Sequence, residues 1–90
     1  MLLLQEKRAE KRLQVNLPVT YSFVVGNDTI TGNSSTTNLS DSGLCFYADM
    51  PLKMGLRLRI LLNDIWDDSK ECQVRWCIKQ HNQYRIGVAF

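Results

Sequence analysis

From Val15 to Val25 an apolar residue stands at every second position: Val15, Leu17, Val19, Tyr21, Phe23 and Val25. Asn16, Pro18, Thr20 and Ser22 fill the gaps, and Val24 alone breaks the polar set. A period of two sends successive side chains to opposite sides, so this run predicts a strand with one buried face. Gly26–Asp28 then supplies turn residues. The polar, β-branched stretch 29–37 predicts a weaker strand, either bulged at Gly32 or lying at an exposed edge.

The alternation returns three more times. Leu56, Leu58, Ile60 and Leu62 share one face, with Arg57 and Arg59 opposite. Cys72, Val74, Trp76 and Ile78 repeat it against Gln73, Arg75, Cys77 and Lys79. Tyr84, Ile86, Val88 and Phe90 repeat it against Arg85, Gly87 and Ala89. Gly43–Ala48 adds a shorter apolar strand. Six strands with short polar connections predict an all-β antiparallel barrel or sandwich. A closed barrel is favoured because it removes the edges a small sheet would expose. The apolar set, Trp76 included, is then expected inside, and Arg57, Arg59, Arg75 and Arg85 outside. Residues 2–11 form the one plausible helix, and a short one.

The chain of 90 residues makes a single domain. Its net charge of +2 is too small for bulk nucleic-acid binding. The distribution of charge is more telling, because residues 13–52 contain no Lys or Arg. Nothing approaches the about 18 consecutive apolar residues of a membrane span. Leu2–Leu4 is too short for a signal-peptide core and has no basic residue before it. Three cysteines without regular spacing are no disulfide framework. A cytoplasmic location with reduced thiols is expected.

Enzyme signatures are missing. His81 is the one histidine, Asp67 and Asp68 are neighbours in a turn, and no phosphate-binding loop occurs. A metal site from Cys72, Cys77 and His81 is not expected, because an odd spacing in a strand puts the two thiols on opposite faces. Two segments hold other chemistry. Lys7–Arg12 carries four cations and one acid in six residues. Arg8 and Arg12 share a face in a helix turn and can both fold inward from a mobile tail. Guanidinium groups bind phosphate bidentately and pair with guanine O6 and N7. The plain alternative is a solvated helix end with Glu6 and Glu10 paired to neighbouring cations. Asn38–Leu44 reads first as turn chemistry, with Gly43 free to take a positive φ. If the chain there is extended, Asn38 and Ser40 project to the same side. An amide then offers both donor and acceptor to a nucleobase edge.

Together these pieces resemble the PilZ domain family. Arg8–Arg12 matches its RxxxR motif, and Asn38–Gly43 matches its [D/N]xSxxG motif, with the first strand between them. The last hairpin also fits, a Val-x-Trp strand before Tyr-x-Ile-Gly-Val-x-Phe. The resemblance implies a six-stranded antiparallel barrel over 14–90 and a basic switch segment over 1–13, flexible or short and helical. It implies a non-catalytic receptor for cyclic di-GMP, with no cofactor and no metal. Arg8 and Arg12 would grip phosphate and guanine. Asn38 and Ser40 would read a guanine edge, and Gly43 would let the turn pass close by. Lys7 before the first arginine leans towards a stacked ligand pair. The expected partners are the dinucleotide and a protein effector in motility, exopolysaccharide synthesis or virulence. No DNA, RNA or membrane insertion is expected. Two readings compete: a PilZ-type protein-interaction module that does not use the nucleotide, and a nucleic-acid-binding barrel using the four outer arginines with Trp66 or Trp76.

Overall fold

The computed structural model describes residues 13–90, with side chains from Asn16 onward. Lys7, Arg8, Arg12 and the expected switch segment lie outside the described residues, except for its last position, Leu13. The chain forms β1 (Leu13–Val25), β2 (Asp28–Ser40), β3 (Gly43–Ala48), β4 (Arg57–Leu62), β5 (Lys70–Gln80) and β6 (Gln83–Ala89). These close into an antiparallel barrel in the order β1-β2-β3-β6-β5-β4. No helix occurs among the described residues.

The alternation explains the core. Val19, Tyr21 and Phe23 from β1 meet Phe46, Leu58, Ile60, Leu62, Val74, Ile86 and Val88 in one apolar cluster. Phe46, Ile60, Leu62, Val74 and Ile86 are wholly inaccessible to solvent. Tyr21 and Phe46 pack with ring centres 4.9 Å apart. Pro18 fits the ladder as well. The Asn63 N–H donates to the Pro18 carbonyl at 3.2 Å. Even-numbered residues of β1 therefore turn their backbone groups to β4, and odd-numbered ones to β2. The N–H that proline lacks would have faced the end of the β1–β4 pairing, which stops at Val19↔Leu62.

Where the strands depart from strict alternation, a bulge is the cause. In β2 the register slips between Thr36 and Asn38, not at Gly32. Gly32 pairs regularly with Tyr21, and a Cβ there would collide with the tyrosine ring. In β5 the register slips between Val74 and Trp76. Residues beyond that point change sides, which overturns three expectations. Cys77 packs against the core although it was expected outside. Trp76 is half-buried on the outer surface, and Ile78 is exposed. Cys72 and Cys77 thus face the same side, contrary to the odd-spacing argument. Among the described residues, no three or more His, Cys, Asp or Glu side chains gather to hold a metal ion.

The β1–β2 hairpin outruns the barrel. It turns at Gly26–Asn27, with Val25 paired to Asp28. Val25 has inward parity but is exposed, because no strand lies beneath it.

Candidate functional site

The β2–β3 corner is built by its bulge. Thr36 is fully buried, and its Oγ1 lies 3.0 Å from the Asn38 carbonyl and 2.5 Å from the Cys45 carbonyl. One hydroxyl proton is shared between two acceptors, which ties β2 to β3 across the irregular step. Past the bulge, Leu39 packs against the core, so Asn38 and Ser40 flank it and face outward together. The pairing of side chains expected from the sequence is therefore present. Ser40 Oγ donates to the Gly43 carbonyl across the turn at 3.4 Å.

Gly43 is needed for a different reason from the one expected. Positive φ among the glycines occurs at Gly26 and Gly55, not at Gly43. Gly43 instead pairs with Ala89, and a Cβ on it would strike the Val88 carbonyl. The corner can pass against β6 only because that position has no side chain.

Beside the corner lies an open hollow of about 330 Å³. Ser40 and Gly43 of the corner line it together with Arg75, Trp76 and Gly87. The indole of Trp76 lies on Gly87 so closely that a Cβ there would meet Cε2, Nε1 and Cζ2. The Arg85 guanidinium carbon sits 5.8 Å from the Trp76 ring centre. Two buried polar atoms nearby in the sheet lack partners among the described residues: Thr37 Oγ1 in the bulge and Arg85 Nε. The chemistry on offer is an aromatic platform, guanidinium groups, a hydroxyl and an adjacent amide. Such a set binds a planar, hydrogen-bonding anion.

The first described residues of β1 run alongside this corner. Leu13 pairs with Leu39, and Gln14 pairs with Asn38. Arg12 therefore precedes the residue that meets Leu39.

A family model described as PilZ domain matches residues 6–90. The chain belongs to the PilZ domain family. Solved structures agree in fold. The Escherichia coli YcgR structure, in complex with c-di-GMP, matches with a TM-score of 0.69 at 16% identity. The match covers 93% of this chain and 38% of that one. The Bacillus subtilis inhibitor of motility MotI/DgrA matches with a TM-score of 0.64 at 14% identity, over 91% of this chain and 41% of that one. This PilZ chain thus spans about two-fifths of both neighbours. A search of curated proteins finds no match.

Sequence parity sends Trp76 inward because the β5 bulge is invisible to it. The outer arginines were legible, but they do not form one face. Arg59 donates to Ser69 at 2.9 Å, and Arg57 pairs with Glu71 at 3.7 Å, both on the β4–β5 side. Trp66 packs edge-on against Phe90, centres 5.4 Å apart, with the Lys70 ammonium 4.9 Å from the Trp66 ring centre.

Proposed function

We propose that this PilZ domain is a non-catalytic receptor for cyclic di-GMP. The observation that supports the reading is the Leu13↔Leu39 and Gln14↔Asn38 register, which sets the start of β1, one residue after Arg12 in the sequence, beside the Asn38–Ser40 corner. One guanine edge is read by Asn38 and Ser40. A guanine base stacks on Trp76, and Arg75 supplies charge at the rim of the hollow. Arg8 and Arg12 close from the other side on phosphate and guanine, with Lys7 adding charge that favours a stacked ligand pair. YcgR, described in complex with the same dinucleotide, has a similar fold, which supports this choice of ligand.

In this reading, residues 1–13 are the switch and 14–90 the receptor barrel. Ligand contacts offset the entropy lost when the segment orders, and the new surface engages a protein effector in the cytoplasm. The likeness in fold to an inhibitor of motility is in keeping with motility control as the output.

Calorimetric titration with cyclic di-GMP tests this. Saturable binding at micromolar concentration is expected, which needs about 8 kcal/mol. Arg8→Ala or Arg12→Ala each removes a bidentate contact of about 1–3 kcal/mol and weakens binding by roughly 5- to 150-fold. The melting curve should barely move. No saturable heat with the intact chain would overturn the proposal.

A further inference from the structure

Arg85 sits on the outer face of β6, two residues before Gly87 and on the same side of the strand. It pairs with Tyr47 of β3 and Ile78 of β5, while Gly87 pairs with Trp76. Arg85 is thus the diagonal neighbour of Trp76, close enough for a long side chain to reach it. From this strand the hollow takes Gly87, Val88 and Ala89. It therefore opens on the Ala89 side of the indole, and Arg85 stands on the other side.

The Arg85 guanidinium carbon lies 5.8 Å from the Trp76 ring centre. Groups in stacking contact approach to about 3.5–4.0 Å, so Arg85 flanks the ring and does not cover it. Arg57 and Arg59 are tied to Glu71 and Ser69. Arg85 has no carboxylate partner among the described residues, and its Nε is buried without an acceptor there. A guanidinium partly withdrawn from water costs free energy until acceptors meet it. Acceptors brought by a ligand on the neighbouring indole would offset that cost.

We propose that Arg85 makes the Trp76 platform selective for guanine, its terminal nitrogens donating to O6 and N7 of the base stacked there. The proposal rests on the reading of this chain as a receptor for cyclic di-GMP. The Gly43↔Ala89 pairing puts the Asn38–Ser40 corner on the hollow side of Trp76. A base lying over the indole then turns one edge to the corner and another to Arg85. The amide and hydroxyl of the corner suit the N1 and N2 edge. The guanidinium fork suits the O6 and N7 edge, where guanine offers two acceptors and adenine offers a donor beside one acceptor. Stacking on the indole accepts any base, so discrimination has to come from the edges.

Competition calorimetry with cyclic di-GMP and its 7-deazaguanine analogue tests this. The analogue replaces N7 by C–H and keeps the N1 and N2 edge and both phosphates. The unsubstituted chain should prefer the natural ligand. Arg85→Met keeps an apolar stem without the charge, and should reduce that preference by roughly 5-fold or more. If this variant fails to fold, Arg85→Lys, which keeps the charge but not the fork, should show the same loss. No preference in the unsubstituted chain overturns the proposal. So does a preference that the folded variant retains. Equal weakening of both ligands is one such result, and it would assign Arg85 to a phosphate or to holding the indole in place. Failure of the unsubstituted chain to bind cyclic di-GMP at all is a different outcome, which sinks the receptor reading and this proposal with it.

Discussion

Substituting Gly87 by alanine puts one methyl group beneath the Trp76 indole. The new Cβ would lie 2.6 Å from Cζ2, with Nε1 and Cε2 nearer still. Carbon atoms in contact prefer about 3.5–4.0 Å, so the ring must lift by about 1 Å or more. The barrel should lose about 1–3 kcal/mol, the usual range for overpacking. The effect on the ligand is separate. Stacking a base on an aromatic side chain contributes about 1–3 kcal/mol, so a displaced platform should raise Kd for cyclic di-GMP by roughly 5- to 150-fold. The assay is titration calorimetry paired with urea unfolding, in a Trp66→Phe background so that Trp76 alone reports by fluorescence. A Gly87→Ala protein with a shifted Trp76 signal and unchanged affinity would refute stacking on Trp76. An unchanged Trp76 signal would refute the close packing over Gly87.

Three further outcomes are expected. Thr36→Val removes the hydroxyl that ties the β2 bulge to β3 through the Asn38 and Cys45 carbonyls. Urea unfolding should show a loss of about 1–3 kcal/mol, and ligand affinity should fall because the Asn38–Ser40 corner loosens. Burial, with the Glu71 carboxylate adding to it, pushes the Cys72 thiol from an ordinary 9.0 up to about 12. The unfolded chain then ionises first, so stability should be level below pH 9 and fall from there towards about pH 12. The slope is at most about 1.4 kcal/mol per pH unit. Tyr21, raised above 10.0 by burial and by the Asp49 carboxylate, acts in the same direction at higher pH. Thiolate absorbance appearing near pH 9 in the folded Cys45→Ala, Cys77→Ala double variant would contradict the Cys72 assignment. Gly26 has a φ of 63° with open space around it, so Gly26→Ala should cost only the backbone penalty, about 1–2 kcal/mol by thermal unfolding. Its ligand affinity should not change.

The barrel was legible in the chain because its core strands are nearly free of exceptions. Val19, Tyr21 and Phe23 in β1, and Leu58, Ile60 and Leu62 in β4, all point where a period of two sends them. The corner was legible in part. Asn38 and Ser40 do project together, but the cause is the bulge at Thr37, which returns Leu39 to the core. Gly43 was singled out correctly for lacking a Cβ and for the wrong reason, since the constraint comes from β6, forty-odd residues away in sequence. Trp76 was sent inward because one extra residue in β5 reverses parity, and no local sequence feature marks that insertion. The open margin of β2 was half visible. Its polar, uncharged composition suggested an edge, but only the register shows which stretch β3 leaves uncovered.

The most direct test of the ligand account is intermolecular nuclear Overhauser spectroscopy on the complex with cyclic di-GMP. Contacts are expected from guanine H8 and ribose protons to the Trp76 indole, and from the same ligand to the side chains of Arg8 and Arg12. Contacts that gather instead around Tyr47, Asp49 and His81, with none to Arg8, Arg12 or Trp76, would contradict it.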